Sequence, residues 1–287
     1  MQIHEPGFRW RSIRATVLGS DHVVGLPLPP ILRNKNPRTP SVFTPDALLR
    51  EARRQKGLTQ TNVPRICVLD PDGDLLRRLR RTGAARSSEG WPCYHTELYT
   101  FALAGEILGI VGCAVGAPYA VLIAEEMFAS GCELLISITS AGQITPAGEP
   151  PYFVVIDRAL RDEGTSYHYA APEDFAAADP ELIAMATRAL ADAGQSAIVG
   201  PSWTTDAPFR ETAEAIGAAR RQGILAVEME AAALYTFARA KGARVLCIAH
   251  VTNTMGQAGA DFEKGEADGT ADVLTLLGAI VKAAPAG

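Results

Sequence analysis

The run Ile224-Leu225-Ala226-Val227 passes through Glu228-Met229-Glu230 into the alanine-rich segment Ala231-Ala232-Ala233-Leu234-Tyr235. The four apolar residues are typical of a buried strand, and the alanines favour a helix. A strand that leads directly into a helix indicates an α/β crossover unit. Two carboxylates at such a junction are costly to bury unless a polar group binds them, so the stretch also predicts a binding site.

Strand–helix alternation continues over most of the chain. From Arg65 onward, short apolar runs alternate with helical patterns, which predicts a largely parallel sheet covered by helices on both faces. Strands are expected at residues 66–70, 107–115, 134–140, 153–158, 197–203, 224–227 and 245–251. Helices are expected at residues 117–130, 180–193, 212–222, 231–241 and 271–283. The predicted fold class is therefore α/β, with three α/β/α layers around a central mixed, largely parallel sheet.

Residues 1–62 differ from the rest because prolines interrupt them, as in Leu26-Pro27-Leu28-Pro29-Pro30, and prevent long regular elements. A short basic helix is expected over residues 47–55, with Thr44 as its N-cap and Pro45 at its first position. We interpret residues 1–62 as an arm that packs on the surface or on a neighbouring subunit, rather than as an independent domain. Residues 63–287 then form the main domain.

Composition limits the functions that this chain can have. It has 287 residues, of which 47% are hydrophobic, so it can bury a full core. Its net charge of -5 argues against an extended nucleic-acid interface, which usually carries a basic excess. Its five cysteines lack disulfide or zinc spacing, so we expect reduced, buried thiols. With neither a signal-peptide core nor a membrane-length apolar run, the sequence predicts a soluble cytoplasmic protein.

Four other segments at predicted strand ends carry small or polar residues. They are Gly112-Cys113-Ala114-Val115-Gly116-Ala117-Pro118, Ser137-Ile138-Thr139-Ser140-Ala141-Gly142, Trp203-Thr204-Thr205-Asp206 and His250-Val251-Thr252-Asn253. Ligands of open α/β sheets bind where the strands end. Backbone N–H groups beside small residues can bind an anion, and aromatic residues can face a planar ring. Each segment alone also fits an ordinary turn or helix cap.

Taken in order, these segments resemble the purine/uridine phosphorylase family. Val227-Glu228-Met229-Glu230-Ala231 is similar to the ribose-binding signature of that family, and Thr139-Ser140-Ala141-Gly142 to its phosphate loop. The resemblance extends to its Gly-rich turn, its base-side loop, its final catalytic strand end and a loop of the uridine-type members, at residues 114–118, 203–206, 251–253 and 161–169. It covers roughly residues 63–283, and it implies a nucleoside phosphorylase-like catalytic domain.

Members of this family cleave the N-glycosidic bond of a nucleoside with inorganic phosphate, releasing the base and (deoxy)ribose 1-phosphate. The resemblance implies phosphate as co-substrate, with neither cofactor nor metal. It implies ribose contacts from Val115, Glu228, Met229 and Glu230, phosphate contacts from Gly73, Arg77, Thr139, Ser140, Gly142 and Arg161, base contacts from Ala141, Trp203, Thr204 and Asp206, and a catalytic role for Asn253. Of the two carboxylates, Glu230 is the expected ribose clamp, and Glu228 is expected to be structural or peripheral.

Two positions depart from the family pattern. Ser137 stands where an arginine normally precedes the phosphate loop; Arg77 or Arg161 is the expected replacement, although Arg77 fits a solvated helix face equally well. Phe209-Arg210-Glu211 follows Asp206 in place of the glutamine and arginine with which uridine phosphorylases bind uracil. Asn253 stands where members that take 6-aminopurines usually carry aspartate, which favours a uridine or 6-oxopurine nucleoside.

The missing arginine leaves two alternatives open: a nucleosidase, in which water replaces phosphate, and a non-catalytic nucleoside-binding protein. The resemblance also implies a homodimer or a hexamer (a trimer of dimers), because a neighbouring subunit often completes the 5′-hydroxyl side in this family. We expect neither a nucleic-acid nor a membrane partner. His95 and His168 are candidates to reach the neighbouring site, although a surface or packed histidine is the more frequent case.

Overall fold

The computed structural model describes residues 28–255, 264 and 267–285. Its strands are β1 (Ile66–Asp70), β2 (Ala85–Ser87), β3 (Tyr99–Leu103), β4 (Glu106–Gly112), β5 (Leu134–Gln143), β6 (Tyr152–Asp162), β7 (Phe175–Ala177), β8 (Ala197–Thr205), β9 (Ala226–Glu228) and β10 (Val245–Thr254). Its α-helices are α1 (Pro45–Lys56), α2 (Asp74–Arg81), α3 (Ala117–Ala129), α4 (Pro180–Asp192), α5 (Ala213–Arg221), α6 (Ala231–Lys241) and α7 (Thr270–Ala283).

The strands form one mixed sheet that closes on itself around five of them. β10 pairs with both β5 and β6, β8 pairs with β6, and β9 links β8 back to β5. β1 and β4 extend the sheet from β5 in parallel, and β3 and β2 complete it as antiparallel strands. The prediction of a mixed sheet is confirmed, and its longest pairings, β5 with β10 and β6 with β8, are parallel.

Helices cover both faces of the sheet, and each face has its own hydrophobic core. α3 and α6 cover one face, with Val121 and Leu234 in the core. α2, α4 and α7 cover the other face, with Leu76 and Leu277 in the core. All five residues of β1 are buried because its side chains point alternately into the two cores. A strand buried on both faces is a continuous apolar run. The predicted three-layer architecture is confirmed.

The seven predicted strands and the predicted helices are all present, with shifted ends. β5, β6 and β10 continue three or four residues beyond their predicted ends, because polar residues there still pair, as Asn253 does with Gly142. β4 ends at Gly112 rather than at residue 115, since Cys113 has a φ of 63°, outside the strand region. The short strands β2 and β7 and the strand β3 were not predicted.

The described part of the predicted arm contains α1. Its cap is as predicted: Thr44 Oγ1 accepts the N–H of Ala47 at 3.2 Å, and Pro45 is the first helical residue. Leu49 and Ala52 are buried on this helix, which packs against α3. Residues 1–27 of the arm lie outside the described residues, and the boundary at residue 62 stays a prediction.

Two expectations from composition can be compared with the fold. Across the described residues, no helix has both the length and the apolar character that crossing a bilayer requires. All five cysteines are free thiols, and four of them are buried as expected. The expectation is wrong for Cys113, which is exposed because it follows the end of β4.

Candidate active site

Four of the predicted segments meet in one row across the closed part of the sheet. Asn253 on β10 pairs with Gly142 on β5, Gly142 pairs with Val227 on β9, and Val227 pairs with Trp203 on β8. Glu228 lies in the next row, beside β8. The pairing therefore brings the expected phosphate loop, ribose motif, base-side loop and catalytic strand end to the same edge.

Glu230 lies immediately before α6 and is only 1% exposed. Its Oε1 accepts the N–H of Gly116 at 2.7 Å, which joins the expected ribose motif to the Gly-rich turn before α3. Its Oε2 is buried and has no hydrogen-bond partner among the described residues. Because an unpaired buried carboxylate oxygen is costly, the geometry favours a ligand that donates hydrogen bonds there.

Glu228 lies in a different environment, although it is two residues away. Its Oε1 accepts hydrogen bonds from the hydroxyls of Ser202 and Thr204, at 3.0 and 2.5 Å. Its Oε2 accepts the N–H groups of Glu230 and Ala231, both at 2.7 Å. Glu228 therefore fixes the first turn of α6, as expected of a structural residue, and both of its oxygens are engaged by the protein.

The two carboxylates influence each other's protonation. Burial, and then the charge of Glu228, raises the pKa of Glu230 to about 8, while the N–H of Gly116 and the hydroxyl of Thr139 oppose the shift. Burial also raises the pKa of Glu228, and its four donors oppose that shift. Four donors oppose the shift at Glu228 and two oppose it at Glu230, so the pair favours the negative charge on Glu228.

Three other predicted residues, two apolar and one with an amide, keep part of their surface accessible. Met229 is half-buried, and Val115, in the Gly-rich turn, is 50% exposed. Asn253 is also half-buried, and its carboxamide makes long contacts, at 3.4 Å from Thr252 Oγ1 and 3.5 Å from Met255 Sδ. These long contacts are weak, so the amide can exchange them for a ligand.

The expected phosphate loop contains a contact that the sequence did not indicate. Asp72, in the loop after β1, accepts the N–H of Ser140 with its Oδ2 at 2.6 Å. A cavity of about 30 Å³ lies beside this contact and is lined by both residues together with Asp70, Asp74 and His250. Such a volume holds roughly one or two waters. The backbone donor expected to bind phosphate is therefore occupied by a carboxylate of the protein.

Asp70 and Gly73 fix the loop that carries Asp72. Asp70 accepts the N–H groups of Gly73 and Leu76, at 3.2 and 2.9 Å. Burial raises the pKa of Asp70 to about 7, and these two hydrogen bonds oppose the shift. Gly73 has a φ of 76°, and a Cβ there would lie 2.5 Å from Cys113 Sγ, so this position requires glycine.

Arg77 is one of the two expected replacements for the missing arginine. It lies on α2, directly after the loop that carries Asp72. Its Nη2 donates to the carbonyl oxygen of Asp72 at 2.8 Å and also contacts the carboxylate of Asp74. Asp74 binds Lys264 as well, with Nζ at 2.5 Å. Both cations are thus paired with Asp74, and the guanidinium of Arg77 remains half exposed at the rim of this loop.

Arg161, the other expected replacement, is not brought to Ser140. It lies on β6, which is separated from β5 by β10 on one side of the closed sheet and by β8 and β9 on the other, and it is 4% exposed. Its guanidinium donates to the Ser166 hydroxyl and the Ala171 carbonyl, both at 2.8 Å. Ser137, in place of the family's arginine, is buried, and its hydroxyl has no partner within the described part of the chain.

The expected base-side residues reach the site edge, but protein groups bind their side chains. Trp203 is 4% exposed and donates its indole N–H to Asp162 at 3.0 Å. Thr204 donates to Glu228, and Asp206 accepts the N–H of Gly164 at 2.8 Å, which fixes the loop after β6. Ala141 is buried beside Ser140. The structure therefore brings these four residues together without showing a free ring-binding face.

Sequence reasoning missed three residues that shape this site. Gly116 supplies the N–H that holds Glu230, and Ser202 helps to hold Glu228. Asp72 occupies the N–H of Ser140. A signal for Asp72 was present, because Asp70-Pro71-Asp72-Gly73-Asp74 places a carboxylate at every second position directly after a buried strand. Its partner, 68 residues away, could not be identified from that pattern.

The family model described as the Phosphorylase superfamily matches residues 65–284. The chain belongs to this superfamily. The matched residues run from just before β1 to the end of α7, so they contain the whole sheet and the row that joins Asn253 to Trp203.

Three curated members of the nucleoside phosphorylase group are similar to part of the chain. The guanosine phosphorylase of Halorubrum lacusprofundi is 31% identical over 162 residues, which are 55% of this chain and 67% of that protein. The uridine phosphorylase of Thermococcus kodakarensis is 28% identical over 173 residues, 54% and 62% of the two chains. A DeoD-type purine nucleoside phosphorylase of Proteus mirabilis is 30% identical over 157 residues, 54% and 66%. In each case the match spans about two thirds of the relative.

Proposed function

We propose that this phosphorylase superfamily member cleaves the N-glycosidic bond of a nucleoside with inorganic phosphate, giving the free base and (deoxy)ribose 1-phosphate. The observation that carries the proposal is the buried Glu230, with one oxygen held by Gly116 and the other without a partner among the described residues. The names of the three relatives support phosphorolysis as the reaction.

On the ribose side, the free oxygen of Glu230 suits the 2′ and 3′ hydroxyls, which lie close enough together to bind one carboxylate. Met229 and Val115 offer apolar surface to the sugar ring, and Glu228 orients Glu230 by fixing the first turn of α6. The sugar becomes oxocarbenium-like as the base leaves. A carboxylate fixed before the reaction stabilises that charge without having to reorganise.

At the base, we propose that Asn253 hydrogen-bonds the departing ring. A carboxamide cannot protonate the base as an aspartic acid can, so its contribution is orientation and hydrogen bonding. This chemistry favours a uridine or 6-oxopurine nucleoside. The guanosine and uridine phosphorylases among the relatives support that choice by their names. Ala141, Trp203, Thr204 and Asp206 form the wall beside the base.

For phosphate, we propose a site formed by Thr139, Ser140, Gly142, Gly73 and Arg77. The loss of an arginine at Ser137 removes a charge-assisted hydrogen bond of about 1.5–3 kcal/mol. Arg77 compensates for that loss only when its guanidinium leaves Asp74. We do not extend the set to Arg161, because its Nε and Nη1 donate to Ser166 and Ala171; its Nη2 is buried without a partner among the described residues.

A second candidate function is hydrolysis of the same bond, with water in place of phosphate. The observation that favours it is the 2.6 Å contact of Asp72 with the N–H of Ser140, which fills the donor that phosphate would use. The adjoining cavity of about 30 Å³ has room for water. The two candidates share the ribose half of the site and differ in the nucleophile.

We further propose a homodimer or a hexamer, in which a neighbouring subunit completes the 5′-hydroxyl side, with His95 or His168 as the residue that reaches across. Both histidines belong to the described surface near the N-terminal end of α3, where Tyr119 donates to the carbonyl of His95. Light scattering of the purified protein tests the proposal, and a fully active monomer would contradict it. We place the protein in the cytoplasm, as its free thiols suggest.

One assay separates the candidates. The purified protein is incubated with uridine, guanosine, inosine and adenosine, with and without inorganic phosphate, and the released base is quantified by chromatography. Phosphate-dependent release supports the lead proposal, and equal release without phosphate supports hydrolysis. No release from any nucleoside would overturn both and favour a nucleoside-binding protein. The Glu230→Gln variant, prepared in the same way, controls for contaminating activity.

A further inference from the structure

A carboxylate of the protein occupies the backbone donor at the centre of the expected anion site. Asp72 Oδ2 lies 2.6 Å from the Ser140 nitrogen, a distance typical of a short, charge-assisted hydrogen bond. An N–H group donates one such bond, so a phosphate oxygen can use it only after Asp72 has left. The structure thus contains an internal competitor for phosphate.

The loop holds Asp72 in this position. Asp70 binds two N–H groups of the same loop, and Gly73 has a backbone conformation and a close contact with Cys113 that exclude a side chain. Arg77 donates to the Asp72 carbonyl oxygen and so restrains the same residue from the other side. These contacts fix the backbone from which the Asp72 carboxylate reaches Ser140.

Charge near the contact adds to the competition. Asp72, Asp74 and Asp268 all line the small cavity beside Ser140. Arg77 and Lys264 partly offset them, but both cations contact Asp74. A phosphate dianion entering beside Asp72 would meet a like charge at close range in a partly buried site, where water screens it poorly. Removing Asp72 therefore frees the donor and removes the repulsion together.

We infer that Asp72 sets the affinity of this site for inorganic phosphate: its carboxylate takes the place of a phosphate oxygen on Ser140, so phosphate has to displace it before it can react. The inference rests on the proposed cleavage of nucleosides at this site. Asp72 acts as a specificity-determining residue; it has no hydrogen bond to Glu230 or Glu228, although its charge contributes to the raised pKa of Glu230.

The test measures inorganic phosphate binding directly, by isothermal titration calorimetry, in the wild type and in Asp72→Ala, Asp72→Asn and Asp268→Asn. Asp72→Ala frees the Ser140 N–H and removes the charge, and we expect its Kd for phosphate to fall at least tenfold. Asp72→Asn removes the charge but keeps an acceptor for the N–H, so a smaller fall, of about threefold, is expected. Asp268→Asn removes a charge from the same cavity without touching Ser140, and a change of less than twofold is expected.

Base release is then measured with the same proteins against phosphate concentration. Asp72→Ala should show a KM for phosphate at least tenfold lower than the wild type, or should gain phosphate dependence if the wild type has none. An unchanged Kd in both Asp72 variants overturns the inference, as does an equal fall in Asp268→Asn, which would assign the effect to charge alone. Circular dichroism checks folding, and Asp72→Asn keeps the test decisive if Asp72→Ala is unstable.

The two proposals fail in different ways. If no protein releases base from any nucleoside, with or without phosphate, the proposed function is wrong, while the calorimetric result still decides whether Asp72 excludes phosphate. If the wild type releases base and phosphate affinity is the same in every variant, the proposed function stands and the inference about Asp72 is wrong.

Discussion

The proposed ribose half and the proposed phosphate half of this site differ in what the protein leaves free for a ligand. In the ribose half, Glu228 takes up the backbone donors and hydroxyls, so that Glu230 keeps an oxygen without a partner among the described residues. In the phosphate half, Asp72 takes up the donor itself. Internal hydrogen bonds leave a carboxylate oxygen free for a ligand in the first half. In the second half, an internal hydrogen bond occupies the backbone donor that a ligand would use.

This difference shows how a scaffold can retain one substrate and change the other. Glu230 and Glu228 are positioned by the junction between β9 and α6 and by β8, all within the closed part of the sheet. Asp72 lies on a loop outside that ring, after β1. A change in the loop alters the nucleophile without disturbing the strands that hold the sugar. The following predictions test this separation, beginning with the largest expected effect.

The largest loss of activity is expected when Glu230, whose Oε2 has no partner among the described residues, is replaced. At about pH 9, where Glu230 is ionised, kcat/KM of Glu230→Gln for the best nucleoside is expected to fall on the order of 10²–10³-fold, about 3–4 kcal/mol, since a neutral amide forms weaker hydrogen bonds to both hydroxyls than a carboxylate does. Steady-state kinetics measure the loss. The melting temperature should change little; a well-folded variant with nearly normal kcat/KM would show that the sugar is bound elsewhere.

Replacing Glu228, whose two oxygens both accept hydrogen bonds from the protein, should lower the stability of the fold. In Glu228→Gln, an amide NH₂ group replaces a carboxylate oxygen and faces hydrogen-bond donors, either the hydroxyls of Ser202 and Thr204 or the N–H groups at the start of α6. Because these donors then lose their acceptor, we expect the free energy of unfolding to fall by about 2–3 kcal/mol. Urea denaturation measures this change. If Glu228→Gln is as stable as the wild type but inactive, Glu228 contacts the substrate directly, and the contrast between the two carboxylates is lost.

The pH dependence should come from the ribose half. Because the pKa of Glu230 is raised to about 8, most of this group is protonated at pH 7 and ionised at pH 9. If the ionised form binds the sugar, kcat/KM rises about tenfold between these pH values. Dividing the wild-type kcat/KM by that of Glu230→Gln at each pH removes the contribution of substrate titration and leaves the part of the pH dependence that comes from Glu230. A flat ratio across that range would mean that the protonated group binds ribose equally well.

The smallest effect is expected at Arg77. Its guanidinium is paired with Asp74 and is more than half exposed, so Arg77→Ala should raise the KM for phosphate less than threefold in the wild-type background. In an Asp72→Ala background, where phosphate can reach Ser140, the same substitution should raise it more. A double-mutant cycle measures that coupling. Additive effects would place Arg77 outside the phosphate site even when the site is open.

Much of the scaffold could be predicted because its signals are local. Buried strands such as β1 are continuous apolar runs, α1 has a hydroxyl cap followed by proline, and the Val227–Glu228–Met229–Glu230 junction marks a strand that enters a helix. The edge strand β2 has three residues, one of them arginine, and therefore carries no periodic signal. The polar ends of β5 and β10 extend because they pair with each other, and the end of β5 also pairs with β9.

The site could be predicted only in part, because its decisive contacts are between residues distant in sequence. Glu228 and Glu230 have the same type of side chain, and their different roles come from Ser202 and Thr204, on β8, and from Gly116, before α3. Likewise, Arg161 was expected to replace the missing arginine, whereas its place on β6 and its bonds to Ser166 and Ala171 follow from the folded sheet. Motifs identify such residues, and packing decides what each one contacts.

The ring of strands β5-β10-β6-β8-β9 has a consequence for motion. Each member pairs with at least two other strands, so releasing it breaks the hydrogen bonds to both neighbours. By contrast, β2 lies at the end of the sheet and pairs only with β3 among the described strands. Local opening events that expose backbone amides should therefore begin at β2 and reach the ring only near global unfolding. The most frequent local openings then affect the end of the sheet at β2, and the free oxygen of Glu230 keeps its position while they occur.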